Sequence, residues 1–258
     1  ISNIYRFVPA YQRYIVFYLK DPIRVLKSGD EGFITKATCV TIGPQDQAVT
    51  LDMGSRHLAV GIAFQPSGLH RLLNIPIAEI FEQDLDTRLL LGNEIAEITE
   101  KLKEAEDWEH MKDITEFYLL KKLSGLKEVL PVDKAMAELV NSSGNITMEE
   151  LASLACLSLR QFERKCMERL GMPPKQYARL VRFCKAYQLK EMYPHKTWRE
   201  IAHNTGYYDQ MHFIRDFKRF AGITPSFIHE EELRNTMRLH SLLEYKAEYV
   251  AFVLCNRV

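Results

Sequence analysis

Two stretches of the chain repeat one amphipathic pattern, and each of them ends in Gly followed three residues later by Pro. The earlier stretch reads QFERKCMERLGMPP (161–174) and the later one reads HFIRDFKRFAGITP (212–225). Phe213 repeats Phe162, and Gly222 repeats Gly171. Apolar residues at helical spacing, closed by Gly and Pro, predict a helix that stops at that point. The sequence therefore predicts a fold that contains one helical unit twice.

A shorter helix is predicted immediately before each copy. TMEELASLA begins at Thr147 with Glu150 three residues on, and TWREIAHNTG begins at Thr197 with Glu200 three residues on. This spacing is a capping box, in which each side chain satisfies a free backbone N–H of the first turn.

A tight turn joins the short helix of each unit to the longer one. Ser158 in the first unit and Asp209 in the second stand where an N-cap is needed, and Gly206 can adopt a positive φ at little cost. Helix, short turn and helix together form a helix-turn-helix unit.

The second helix of each unit has one apolar face and one polar face. Phe162, Cys166 and Leu170 form the apolar stripe in the first unit, as Phe213, Phe217 and Phe220 do in the second. The opposite face carries Arg, Gln, Glu and His, which suit the major groove: Arg pairs with guanine, Gln with adenine and Glu with cytosine. A plain solvated face explains one such helix, but two matched copies favour DNA binding.

The segment between the units, PPKQYARLVRFCKAYQLKEMYP (173–194), predicts one long helix opened by Pro. A helix of about 20 residues is ~30 Å long, and successive major grooves on one face of DNA lie ~34 Å apart. Such a rod can hold two reading helices on adjacent turns of one duplex. A helical solenoid would generally need three or more repeats.

These motifs resemble the AraC/XylS family of bacterial transcription regulators over residues 131–229. The family order of I-A-x-x-x-G-[FY], F-x-R-x-F-K and G-x-T-P is present at 201–225 with the expected spacing. The resemblance implies a cytoplasmic homodimer that activates transcription, with double-stranded DNA, a small-molecule effector and RNA polymerase as partners. It also implies these base-reading residues: Arg160, Glu163 and Arg164 in the first unit, and Gln210, Met211, His212 and Arg215 in the second.

The chain departs from the family pattern at three places. Cys166 stands where the family usually has Phe, and Met211 offers a thymine methyl a contact but no hydrogen bond. The chain also continues for about thirty residues beyond the last helix, and the tail EYKAEYVAFVLCNRV has strand-like composition. We expect this tail to add a strand to the N-terminal sheet of its own chain or of a partner.

Residues 1–67 are rich in short β-branched and aromatic runs separated by turn signals, which predicts a sheet curled into a barrel or a sandwich. Helical spacing follows, with apolar stripes at Ile95, Ile98 and Leu102 and at Ile114, Phe117 and Leu120. The predicted fold class is α+β, with a β-rich, barrel-like N-terminal domain bearing helices and an all-α C-terminal domain of two helix-turn-helix units. We expect a sensory or dimerisation domain at 1–130, a DNA-binding domain at 131–229 and a tail at 230–258.

Charge is divided unevenly although the net charge is zero. Residues 131–229 contain 15 Lys and Arg against 10 Asp and Glu, whereas residues 1–130 contain 15 against 19. The basic segment predicts an anionic partner for that part of the chain. No apolar run reaches the ~18 residues that a membrane span needs, and five cysteines without a CxxC pair argue against a disulfide framework or a zinc site. We therefore expect an intracellular protein without a membrane contact.

Two alternatives remain open. A cupin-like, metal-dependent enzyme needs clustered His and carboxylates, but residues 1–130 hold only His57, His70 and His110, each expected at the surface or hydrogen-bonded. We expect no metal, no cofactor and no catalytic residues. The other alternative is a regulator controlled by dimerisation or a protein partner alone, through the helix WEHMKDITEFYLLKKL.

Overall fold

The computed structural model describes residues 4–227 and the backbone of residues 249–255. The β-branched and aromatic runs form strands that are interrupted by turn residues. The strands are β1 (Ile4–Phe7), β2 (Arg13–Tyr18), β3 (Arg24–Leu26), β4 (Ile34–Thr35), β5 (Cys39–Ile42), β6 (Val49–Asp52), β7 (Leu58–Phe64), β8 (Asp84–Asp86) and β9 (Tyr249–Cys255).

The N-terminal strands form two antiparallel sheets. One has the order β1-β6-β3-β4 and the other has the order β8-β5-β2-β7-β9. Side chains that alternate along β2 divide between two cores, with Tyr14, Val16 and Tyr18 in one and Ile15 and Phe17 in the other. The predicted β-rich domain is confirmed, although its sheets do not close into a barrel.

The tail supplies an edge strand to the larger sheet of its own chain. β9 pairs antiparallel with β7 from Leu58 opposite Cys255 to Phe64 opposite Tyr249. The remaining positions of the expected run, 244–248 and 256–258, lie outside the described residues.

The helices follow the predicted change of period. They are α1 (Gly68–Leu73), α2 (Arg88–Leu91), α3 (Glu94–Glu104), α4 (Trp108–Lys122), α5 (Pro131–Asn141), α6 (Met148–Leu154), α7 (Leu159–Leu170), α8 (Pro174–Met192), α9 (Trp198–Asn204) and α10 (Gln210–Ala221), with 3₁₀ turns at Ile77–Ile80, Leu123–Gly125 and Pro225–Phe227.

Helices α3 and α4 pack on the core that contains Ile15 and Phe17. The stripe predicted for α3 is buried, but the stripe predicted for α4 is wrong at two of its three positions. Ile114 is partly buried against this core, whereas Phe117 is 60% exposed and Leu120 is 57% exposed. The helix turns a different face inward, and its buried residues are Met111, Thr115, Tyr118 and Leu119. Thr115 is compatible with burial because its hydroxyl donates to the Met111 carbonyl at 2.8 Å.

One continuous core holds α5 to α10 together. Its aromatic centre is formed by Phe183 of α8 against two side chains of α10, with ring centroids 5.4 Å from Phe217 and 5.2 Å from Phe220. Edge and tilted contacts at these distances stabilise aromatic pairs beyond the area they bury. The predicted fold class is confirmed: a sheet-rich N-terminal part precedes an all-helical part with two helix-turn-helix units.

Candidate nucleic-acid interface

Both short helices begin at the predicted capping boxes. In α6 the Thr147 hydroxyl accepts from the Glu150 N–H at 3.2 Å, and the Glu150 carboxylate accepts from the Thr147 N–H at 3.0 Å. Thr197 and Glu200 repeat this exchange in α9 at 3.3 and 2.7 Å. The hydrogen bonds also lower the pKa of both glutamates, with the Thr hydroxyl as the largest cause.

The turns that precede α7 and α10 each end in a residue that caps the N-terminus of the following helix. Ser158 exchanges hydrogen bonds with Gln161, and the Asp209 carboxylate accepts from the His212 N–H at 2.7 Å. Gly206 has a φ of 78°, as its place in the turn predicted, while the first unit uses Cys156 at 55°. A positive φ is unfavourable for a residue with a Cβ, so the first turn stores some strain that the second avoids.

The buried stripes of α7 and α10 fix which sides of the helices face outward. Phe162, Cys166, Phe213, Phe217 and Phe220 are all completely buried. Successive residues of a helix are rotated by 100°, so a helix that buries its apolar stripe turns its opposite side outward. The polar side of α7 and of α10 therefore faces solvent.

All seven predicted base readers lie on these solvent-facing sides, and all are exposed. Within residues 4–227, no hydrogen bond or ion pair engages their side chains, so each is available to a ligand. They fall in the N-terminal half of each helix, the part that contacts base edges in helix-turn-helix proteins. The residues are Arg160, Glu163 and Arg164 on α7, and Gln210, Met211, His212 and Arg215 on α10.

Helix α8 connects the two units as a single rod. It spans 19 residues, or about 28 Å at 1.5 Å per residue. Arg179 of α8 donates two hydrogen bonds to the buried Asp216 of α10, at 2.9 and 2.5 Å. Rod and second unit are thus joined by an ion pair as well as by the aromatic core.

The N-terminal domain contacts the C-terminal ends of α7 and α10. Arg13 donates to the Leu170 carbonyl at the end of α7 at 3.2 Å, and Arg6 donates to the Ala221 carbonyl at the end of α10 at 3.0 Å. An arginine at a helix C-terminus donates hydrogen bonds to the free carbonyls there, and its positive charge interacts favourably with the negative end of the helix dipole. These contacts leave the N-terminal halves of both helices uncovered.

The loop at 43–48 makes a further contact that the sequence did not predict. The Asp46 carboxylate accepts from Gln176 of α8 at 3.0 Å and from Arg219 of α10 at 2.5 Å. Arg219 stands on the same side of α10 as His212 and Arg215, so a cation beside the reading face is already paired. The loop's residues, GPQDQA, have no periodicity that could have revealed this partner.

A small apolar cavity lies among the strands, beside that loop. Its volume is about 60 Å³, and its walls include Tyr14, Val16 and Gln45. His57 also lines it and is only 3% exposed, and its Nδ1 has no hydrogen-bond partner among the described residues. Burial lowers the pKa of His57 to about 4, which keeps the imidazole neutral at physiological pH.

The expectation of a surface or hydrogen-bonded histidine is thus wrong for His57. It holds for His70, whose Nδ1 lies 2.8 Å from the Ile75 carbonyl, and for the exposed His110. Among the residues that the structure describes, no three His, Cys, Asp or Glu side chains are grouped so as to hold a metal ion. In the same part of the chain, no helix has the length and apolar character to cross a membrane.

Comparison with known proteins identifies the helical part. Residues 151–230 match the model of a helix-turn-helix domain family, and this domain is of the AraC type. No curated protein matches the chain.

Two solved structures of ToxT from Vibrio cholerae share the fold, each at 14% identity with a TM-score of 0.51. An apo, singly substituted ToxT matches over 92% of this chain and 94% of its own. A ToxT structure at 1.65 Å matches over 92% of this chain and 98% of its own. The likeness therefore extends over both parts of the fold.

Proposed function

Since this chain carries the helix-turn-helix domain of the AraC family of transcription regulators, we propose that it binds DNA by placing α7 and α10 in consecutive major grooves. The observation that carries this proposal is the exposure of matched polar side chains on two capped helices, where they have no partner within residues 4–227. Arg164 and Arg215 are the central base readers, and the other predicted readers flank them. The 28 Å rod between the units is close to the ~34 Å spacing of the grooves.

Selection of binding sites from random duplexes tests this directly. The full chain should enrich two short sequence elements separated by about one helical turn, 10–10.5 base pairs. Enrichment of a single element would mean that only one unit reads DNA, and no enrichment would refute sequence-specific binding.

We further propose that a small apolar effector gates DNA binding from the cavity of the N-terminal domain. The walls are mostly apolar, and Nδ1 of His57, which has no partner among the residues that the structure describes, offers one hydrogen bond to orient a ligand. Apolar cavities of ~150 Å³ hold benzene, so a cavity of about 60 Å³ must expand to admit a molecule of that size. Expansion would move the wall residues, including Gln45, and binding would thereby change the domain's shape.

A thermal-unfolding screen of apolar metabolites examines the effector proposal. We expect a compound that raises the unfolding temperature of the wild-type chain but not that of Ala59→Leu, since Ala59 lines the cavity and is completely buried. A shift that persists in the variant would locate the ligand elsewhere. If no apolar compound shifts unfolding, control by dimerisation or a protein partner becomes the better proposal.

The exposed apolar side chains of α4 support a homodimer. Phe117 and Leu120 lie one turn apart and are more than half exposed. We propose that they meet a second copy of the chain and that the dimer activates transcription in the cytoplasm through RNA polymerase, with no enzymatic activity of its own. Sedimentation equilibrium of Leu120→Glu, which should dissociate the dimer, tests the first step.

A further inference from the structure

Arg219 extends the polar side of α10 toward the end of the helix. It lies four residues after Arg215 and seven after His212, spacings that share one helix face. In helix-turn-helix and homeodomain complexes, base contacts come from one part of the reading helix and backbone contacts from its flanks. The position therefore suits a contact with DNA phosphate.

The guanidinium of Arg219 is nevertheless paired within the chain. Its Nη2 lies 2.5 Å from Oδ2 of Asp46, and the two side chains are 43% and 15% exposed. The pair lines a groove between the two domains, whose other charged residues are Arg6, Lys27 and Lys218. Among the described residues that line this groove, Asp46 is the sole acid.

Asp46 is held firmly in this position. Its backbone N–H donates to the Glu82 carboxylate at 2.8 Å, and its side chain also accepts from Gln176. The loop is anchored on both sides of Pro44, because the Gly43 N–H donates to the Gln83 carbonyl at 2.9 Å and the Pro44 carbonyl accepts from the Glu82 N–H at 2.8 Å. These hydrogen bonds define the position from which the carboxylate reaches Arg219.

We propose that Arg219 is a phosphate-contacting residue that Asp46 masks, so that the Asp46–Arg219 pair weakens DNA binding until it opens. The proposal rests on DNA binding by α7 and α10. An arginine that is already paired to a carboxylate releases no counterion from DNA, and the carboxylate itself repels an approaching phosphate. The Arg219 side of the pair is 43% exposed, and ion pairs open to solvent contribute little stability, so the phosphates of a bound duplex, or a small movement of the loop, can displace it.

A ligand in the cavity of the N-terminal domain would move the loop at 43–48. Gln45, the neighbour of Asp46, lines the cavity and donates to Asp84 at 3.2 Å, and Ile42 and Val49 line it on the two sides of the loop. A ligand that enlarges the cavity pushes on the loop that carries Asp46. Occupancy of the cavity is thereby linked to the freedom of Arg219.

The test compares Asp46→Asn with Glu97→Gln in the full-length chain. Each variant removes one negative charge from the N-terminal domain, but Glu97 is exposed on α3 and has no partner among the described residues. Binding to a selected site and to a random duplex is measured by fluorescence anisotropy over a range of salt concentrations. Arg219→Ala and the double variant Asp46→Asn with Arg219→Ala complete the cycle.

We expect Asp46→Asn to bind both duplexes about twofold to eightfold more tightly in 0.1 M salt, with a salt slope steeper by about 0.9, as one more neutralised phosphate requires. Glu97→Gln should change affinity much less. The gain should vanish in the double variant, because it depends on the freed guanidinium.

Unchanged or weaker binding by Asp46→Asn, with unfolding like that of the wild type, would overturn the masking proposal. A gain that survives in the double variant would also overturn it, since the effect would then be general repulsion. The proposed function fails separately, if the wild-type chain selects no sequence. In that case the random duplex still reports on the state of Arg219.

Discussion

Replacing Arg215 by Ala should weaken binding to the selected site with little effect on folding. The side chain is exposed and, within residues 4–227, has no hydrogen bond or ion pair, so its truncation removes no internal contact. The loss should equal that of one base contact, ~1–3 kcal/mol, which is roughly a fivefold to 150-fold increase in Kd.

Anisotropy titrations at constant salt, on the selected site and on a random duplex, measure this loss. A base contact predicts a large change on the selected site and a small one on the random duplex. Arg215→Lys is the matched variant, because it keeps the charge but loses the planar fork that pairs with guanine. Equal losses on both duplexes would make Arg215 a phosphate contact, and unchanged affinity for the selected site would refute the assigned reading face.

Three further predictions concern stability. Phe217→Ala should destabilise the helical domain by ~3–5 kcal/mol in denaturant unfolding, because the ring is fully buried and packs on Trp198 at 4.9 Å; a loss below about 1 kcal/mol would contradict that packing. Asp133→Ala should cost ~3–5 kcal/mol, since it leaves the buried Arg169 without the carboxylate 2.6 Å away, and a neutral effect would mean that water replaces the partner. His57, with a folded-state pKa of about 4, binds its proton more readily in the unfolded chain. Its contribution to stability should therefore be constant above pH ~6.5 and fall by at most ~1.4 kcal/mol per pH unit between pH ~6.5 and 4, and His57→Gln should lose this component of the pH dependence.

The helical half could be predicted from the sequence because its signals are local. Thr147 and Thr197 begin helices through partners three residues away, and Gly206 meets a backbone requirement of its own turn. The apolar stripe of Phe213, Phe217 and Phe220 then identifies the buried face of α10, because all three side chains lie on one side of the helix and are fully buried. The candidate readers come from the resemblance to the AraC/XylS family, and their contacts with DNA stay a prediction.

The remainder depends on contacts between distant residues. Phe117 and Leu120 have the spacing of a core stripe, but the sheet beneath α4 accepts a different face, which no local pattern reveals. Asp46 and Arg219 lie far apart in the chain, and the residues beside them form no pattern that predicts their ion pair. The burial of His57 could not be predicted either. It follows from the packing of two sheets, and the sequence was compatible with both a barrel and a sandwich.

The most direct test of the central claim is a footprint of the chain on its selected site, with guanine-methylation interference to report major-groove contacts. If α7 and α10, joined by α8, each contact one major groove, the footprint should show two interference patches centred 10–10.5 base pairs apart on one face of the duplex. Arg164→Ala should erase one patch and Arg215→Ala the other. A single patch, or two patches that both variants weaken equally, would contradict the placement of α7 and α10 in separate grooves.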